Sequence, residues 1–145
     1  MKTYPSEDIR NFAIVGHASS GKTMLAECME AATGAINRLG SIEAGSTMSD
    51  YHDAEKERQI SINATPLCVE HANKKLNFID TPGYLDFLSE ALGALRVCDA
   101  ALVTVNAGNG VEVGTTKVWE WSRELGVPHL VVVNCLDKEH VSFDT

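Results

Sequence analysis

Apolar runs and helically spaced apolar positions alternate along the chain. Asn11 to Val15, Ala100 to Val105 and the run HLVVVN after Pro128 each predict a buried strand. Pro66 to Glu70 and Lys75 to Ile79 predict two shorter strands. The polar turn between them, near Ala72 to Lys74, is too short for anything but antiparallel pairing. From Lys22 to about Ala32, the residues Leu25, Cys28, Met29 and Ala32 fall on one helical face, with Glu27 and Glu30 facing away and Gly34 as a stop. After DTPGY, the residues Leu85, Leu88, Leu92 and Leu95 predict a second apolar face. A third helix, from about Gly114 to Leu125, places Val118, Trp121, Ser122 and Leu125 on one stripe and ends at Gly126 and Pro128. Strands alternating with helices imply an α/β fold with a doubly wound, mostly parallel sheet and one antiparallel hairpin strand. Residues 35 to 60 break the pattern. They are polar, contain Gly40 and Gly45, and carry the charge cluster HDAEKERQ, as a functional loop or a disordered surface segment would.

Composition narrows the function classes. The 145 residues suit one domain with one core, and 44% hydrophobic with 22% charged residues is ordinary for a globular chain. No apolar run approaches the roughly 20 residues of a membrane span, and the start, MKTYPSEDIRNF, lacks the apolar stretch of a secretory signal. Cys28, Cys68, Cys98 and Cys135 are widely spaced, which predicts reduced thiols and a cytoplasmic location rather than a zinc site or disulfide framework. The net charge of −8 argues against broad phosphate-backbone binding by the isolated chain, and no direct sequence-specific nucleic-acid binding is expected, while room is left for docking on a ribonucleoprotein through a local patch.

Three motifs carry chemistry. The first, AIVGHASSGKT, has the G-x-x-x-x-G-K-[ST] spacing between a predicted strand and a predicted helix. Gly16, His17, Ala18, Ser19, Ser20 and Gly21 form a loop whose amides can cradle phosphate at a helix start. Lys22 would reach the terminal phosphates, and the Thr23 hydroxyl would take one Mg²⁺ position. His17 by itself is read as a local hydrogen-bonding residue. The second motif, LNFIDTPG, sets Asp80 at the carboxyl end of a buried strand, where it could hold the metal through water; the Gly83 N–H could approach a γ-phosphate. The third, VVVNCLDK, brings Asn134 and Asp137 off the end of the last strand. A carboxylate accepts two hydrogen bonds from the guanine N1–H and N2 edge, and adenine lacks that donor pair.

GHASSGKT, DTPG and NCLD in this order resemble the GTP-binding domain of translational GTPases. The flanking GSTMSDYHDAEKERQIS and NAGNGVEVGTTKVWEWSRELGVP are most similar to elongation factor G and its elongation factor G-like paralogues, from about Arg10 to Asp137. The resemblance implies a P-loop domain over residues 1 to 145 that lacks the family's last strand and helix. It implies GTP and GDP as ligands, Mg²⁺ as cofactor and the ribosome as a possible partner. It also implies that Ser61 contacts Mg²⁺ as the residue of the first switch, that Gly83 secures the second, that Asp137 reads guanine, and that Asn134 braces the phosphate loop. Hydrolysis would proceed by in-line attack of water, with Lys22, Gly83 and Tyr84 nearest the chemistry. A nucleotide-binding module without hydrolysis and an ATP-using P-loop enzyme remain alternatives.

Four departures from the family pattern stand out. Cys135 replaces the Lys of N-K-x-D, at a cost of about 1–2 kcal/mol, roughly tenfold in affinity, from lost burial over the base. Tyr84 replaces the His of D-T-P-G-H. A phenol donates one hydrogen bond but offers no imidazolium, which predicts slow intrinsic turnover. Ser19 stands where many relatives have Asp, and Gln59 where the switch usually has Gly. Finally, the chain stops twelve residues after Val133, which leaves HLVVVN as an uncovered sheet edge. Arg58 is a weak candidate for an intrinsic arginine finger and is read first as a solvated residue.

Overall fold

The computed structural model describes residues 2–139 and 141–143. Five strands form one sheet in the order β2-β3-β1-β4-β5, with β1 Ile9–Gly16, β2 Thr65–His71, β3 Lys74–Asp80, β4 Ala100–Asn106 and β5 His129–Asn134. β3, β1, β4 and β5 run parallel, and β2 pairs antiparallel to β3. The β2–β3 turn is made by Ala72 and Asn73, both with positive φ (46° and 60°), as a two-residue hairpin on a right-twisted ribbon requires. Four helices complete the fold: α1 Lys22–Ala32, α2 Asp53–Arg58, α3 Ser89–Leu95 and α4 Val113–Glu124. The expected α/β class with a five-stranded, mostly parallel sheet holds.

The period of two along the strands sends side chains to two cores. Ala13, Val15, Ala101 and Val103 face α3 and α4, meeting Leu88, Ala91, Ala94, Leu95 and Val118. Ile14, Val69 and Phe78 face α1 and meet Ala26, with Phe12 stacked on Phe78 at the rim. Both cores grip the central strand β1, so the carboxyl ends of β1, β3 and β4 converge on one edge with little freedom to move.

Several sequence expectations are corrected. Glu27 and Glu30 do not face away: Glu27 is 2% exposed and Glu30 is buried, while Cys28, expected on the inner face, is exposed. The face of α1 that looked solvated is covered by residues 35 to 50. Leu85 lies outside the apolar face assigned to it, because Leu85–Phe87 form a 3₁₀ turn and α3 starts only at Ser89; Leu88 and Leu95 are buried as expected, together with Ala91 and Ala94. Leu125 sits past the end of α4 and is exposed. β5 is not a buried strand. It is the edge of the sheet, with Leu130 64% exposed, in agreement with the uncovered edge also expected there.

Replacing the buried Leu95 by Ala is expected to lower the unfolding free energy by about 2–5 kcal/mol. Leu130→Ala at the open edge should stay within about 0.5 kcal/mol of the unaltered chain. Urea unfolding of the two variants measures both.

Candidate phosphate and metal site

β1 ends at Gly16 and α1 begins at Lys22, with Gly21 in the left-handed region (φ 84°) at the turn between them. The loop between is held by its own polar groups and by two neighbouring strands. Ser20 Oγ bonds the His17 carbonyl at 2.8 Å and meets Thr104 Oγ1 at 2.7 Å. Asn106 Nδ2 donates to the Ser19 carbonyl at 3.1 Å, and Asn134 Nδ2 donates to the Ser20 carbonyl at 3.0 Å. With these carbonyls engaged from outside, the loop keeps one shape. His17 docks the loop onto the start of α4: its Nδ1 accepts the Gly114 N–H at 3.2 Å, and Nε2 lies 3.6 Å from Glu112. Thr104 and Asn106 were not singled out from sequence. Their signal was polar side chains near the carboxyl end of an otherwise apolar strand.

A cleft of about 260 Å³ opens beside this loop, lined by Ala18, Ser19, Gly21, Lys22, Thr23, Asp50, Gln59, Ser61, Gly83 and Tyr84 among others. Lys22 is buried, and its Nζ donates to the His17 carbonyl at 2.8 Å. Burial lowers its pKa to about 8, against the pull of the Asp80 and Asp50 carboxylates. Asp80, at the end of β3, is fully enclosed. Its Oδ2 accepts from Thr23 Oγ1 at 2.8 Å and from Ser49 Oγ, while its Oδ1 is buried with no partner. Burial raises the Asp80 pKa, opposed by the Ser49 and Thr23 hydroxyls and by Lys22. Ser61 Oγ stands 3.0 Å from Thr23 Oγ1. Gly83 packs so closely that a Cβ there would sit 2.6 Å from the Ala18 nitrogen and would also strike the Lys22 ammonium. Only glycine leaves that passage open.

These residues fit a hard divalent cation. A buried carboxylate oxygen lacks a partner, the Thr23 hydroxyl bonds the other oxygen of the same group, and the Ser61 hydroxyl stands beside Thr23. Among the described residues no group of three His, Cys, Asp or Glu could hold a metal alone. Mg²⁺, which takes one or two protein ligands and completes its shell with water and substrate phosphates, suits such a donor set. Asp50 is a buried acid beside this site that sequence reading missed. Burial raises its pKa to about 6, with the Ser61 hydroxyl opposing and Asp80 adding to the rise.

Residues 35 to 63 are ordered over this site by two buried carboxylates. Glu27 accepts the N–H groups of Gly40 at 2.8 Å and Met48 at 2.9 Å. Glu55, in α2 and 1% exposed, accepts the N–H of Ile62 at 2.9 Å and of Asn63 at 3.0 Å, and its other oxygen takes the His52 N–H at 3.2 Å. The segment is therefore ordered rather than disordered, with a short helix of its own. Its Arg58 is exposed, as a solvated residue would be. The sequence-predicted residues do not all meet. Ala18, Ser19, Gly21, Lys22, Thr23, Ser61, Asp80, Gly83 and Tyr84 converge; Gly16, His17, Ser20 and Asn134 support them from behind. Asp137 lies exposed in the turn after β5, outside the lining of this cleft.

A strand, a glycine-hinged loop with Lys-Thr at the helix start, and an acid at the end of the adjacent parallel strand define a P-loop nucleotide-binding domain. More narrowly, the chain belongs to the elongation factor Tu GTP-binding domain family, whose model matches residues 7–145. It is similar to the mitochondrial ribosome-releasing factor 2 of Debaryomyces hansenii, 36% identical over 143 residues, 99% of this chain and 17% of that protein. It is also similar to the mitochondrial ribosome-releasing factor 2 of Lodderomyces elongisporus, 39% identical over 134 residues, 92% of this chain and 16% of that protein. The chain thus spans about a sixth of these relatives' length. Among solved structures, the crystal structure of a Thermus thermophilus protein matches with a TM-score of 0.87 at 43% identity, covering 89% of this chain and 20% of that one. The bacterial selenocysteine-specific elongation factor EF-Sec shares the fold, with a TM-score of 0.73 at 24% identity over 93% of this chain and 21% of that one.

Two outcomes follow from the geometry. Lys22 titrates near 8 in the ligand-free cleft and near its ordinary 10.5 when unfolded, so between these values the folded chain has lost a proton that a bound phosphate would restore. GDP binding at about pH 9 is expected to take up a proton, read by calorimetry in buffers of different ionisation enthalpy. Gln59 caps α2 with φ 55°, a left-handed conformation that costs a side chain. Gln59→Gly should raise stability by about 1 kcal/mol in thermal or urea unfolding.

Proposed function

We propose that this chain binds GTP and GDP with Mg²⁺ and hydrolyses GTP, as the nucleotide domain of an elongation factor G-like translational GTPase. The reading rests above all on the buried cluster of Lys22, Thr23, Ser61 and Asp80, with its partnerless Asp80 oxygen beside a narrow cleft. The loop amides from Gly16 to Gly21 cradle the β-phosphate, and Lys22 contacts the terminal phosphates. Thr23 and Ser61 would hold Mg²⁺ by their hydroxyls and Asp80 through water; when bound, Mg²⁺ neutralises charge shared by the β- and γ-phosphates. The Gly83 N–H would approach the γ-phosphate, and the missing Cβ lets its backbone lie close against Lys22 and Ala18. Tyr84, 43% exposed on the cleft wall, orients the attacking water with its phenol hydroxyl. Catalysis by these groups is positional and electrostatic, with no covalent step on the protein.

Asp137 takes the guanine edge, and Asn134 joins the base-side loop to the phosphate loop through the Ser20 carbonyl. The nearness of Asn134 to Gly21 supports this: a Cβ at Gly21 would strike the Asn134 amide. The ribosome is the proposed partner, in line with the relatives' being ribosome-releasing factors. No helix among the described residues is long and apolar enough to cross a membrane. The free thiols of all four cysteines suit a reducing compartment, which we take to be the cytoplasm, although those relatives are named as mitochondrial.

Competition between GDP and ADP with Mg²⁺ present tests the reading. GDP should displace a labelled guanine nucleotide and ADP should not; equal displacement would remove the guanine assignment. Asp137→Ala should weaken GDP by about 1.5–3 kcal/mol per charge-assisted bond lost, leaving ADP unaffected. Phosphate release from GTP should be slow in the chain alone. Stoichiometric binding with no release on ribosomes either would leave a binding module in place of an enzyme.

A further inference from the structure

Glu55 spends its buried carboxylate on residues of its own segment. One oxygen accepts the backbone N–H groups of Ile62 and Asn63 and the Asn63 amide at 3.3 Å; the other accepts the His52 N–H that opens α2. Residues 52 and 62–63, at the two ends of the segment, are thereby tied through one side chain. Ser61 lies between those ends; the tie holds its backbone, while its hydroxyl stands 3.0 Å from Thr23 Oγ1 and bonds the Asp50 carboxylate. Without this tie, residues 59–63 would leave α2 through Gln59, a left-handed residue whose side chain makes only a 3.4 Å contact to the Glu43 carbonyl among the described residues. Glu27 is tied elsewhere, gripping Gly40 and Met48 from α1.

From this geometry we infer that Glu55 is a positioning residue for the Mg²⁺ site, making α2 and residues 61–63 one rigid body that presents the Ser61 hydroxyl to Thr23. The inference rests on the proposed nucleotide site. Glu55 touches neither metal nor nucleotide; it acts through Ser61, as outer partners act on the groups they orient. Glu27 fixes the entry of the same segment to the body of the domain, so the two carboxylates divide the work. One sets where the strap attaches, and the other sets where its donor points.

The test measures GTP-analogue affinity of the full chain with Mg²⁺ and with chelator, beside backbone hydrogen exchange at Ile62 and Asn63. Glu55→Ala is expected to speed exchange at both amides and to lower the Mg²⁺-dependent gain in affinity by about 10- to 100-fold, with affinity in chelator unchanged. Ser61→Ala should lose a similar gain, and the double variant should lose no more than either single one. Glu55→Gln keeps an oxygen for Ile62 and Asn63 but sets an N–H₂ against the His52 N–H, so its loss should be intermediate. If the Ala variant fails to fold, the Gln variant carries the test: exchange at 62–63 and the Mg²⁺ gain must shift together. Glu27→Gln should leave the Mg²⁺ gain intact. An unchanged gain in the Glu55 variants, or an equal loss in Glu27→Gln, would overturn the inference while nucleotide binding stands. Absence of nucleotide binding in the unaltered chain would instead overturn the proposed function, and the inference with it.

Discussion

The enclosed carboxylate of Asp80 is the constraint around which the rest of this domain is arranged. It sits at the end of a strand gripped by neighbours on both sides, where burial disfavours its charge. Four groups answer that cost: the Ser49 and Thr23 hydroxyls, the buried Lys22 ammonium and the Thr81 backbone N–H. Thr23 and Lys22 come from the start of α1, where the phosphate loop ends, and Ser49 comes from the covering segment, so one charge draws these parts together. Lys22 is in the same position with opposite sign, and burial lowers its pKa just as it raises that of Asp80. A buried ammonium on the cleft wall and an enclosed carboxylate behind Thr23 would suit the anion and cation of the proposed nucleotide and its Mg²⁺.

Buried carboxylates recur as the means of holding irregular backbone. Glu27 and Glu55 each accept main-chain N–H groups that no helix or sheet would satisfy. A loop of this length carries many such donors, and a charged acceptor makes stronger bonds to them than a neutral one. The loop can then be ordered without a large apolar core of its own. Such order rests on a few polar ties, which would suit the proposed role of a segment that responds to a ligand beneath it. The phosphate loop is held by a different device: neutral amides and hydroxyls from the ends of β4 and β5, set in a rigid sheet.

The relatives place these features in a larger frame. The chain covers nearly all of its own length in them and about a sixth of theirs. Within the described domain, β5 is the outer strand of the sheet and leaves Leu130 and Val131 exposed, at the opposite edge from the hairpin strand β2. Both edge strands reach the site: Asn134 bonds the phosphate loop from the end of β5, and Thr65 at the start of β2 donates to the Ser49 carbonyl at 3.0 Å.

Much of this architecture was legible from residue order. Periodicity located every strand and all but one of the helices, because alternation and 3.6-residue spacing are local properties. The phosphate loop was equally plain, since its glycines, Lys22 and Thr23 are contiguous and each is required by the backbone or the ligand. The six-residue α2 has no apolar stripe to announce it, and only tertiary packing decided its place. The same holds for Glu27 and Glu30. Sequence assigns a charged side chain on a helix to solvent, because an unpaired buried charge is costly; the structure buries Glu27 because distant N–H groups arrive to pair it. Asp50, Thr104 and Asn106 were invisible for a related reason. Their roles depend on what lies across space from them, and a single chain read in order records which groups exist but not which ones meet.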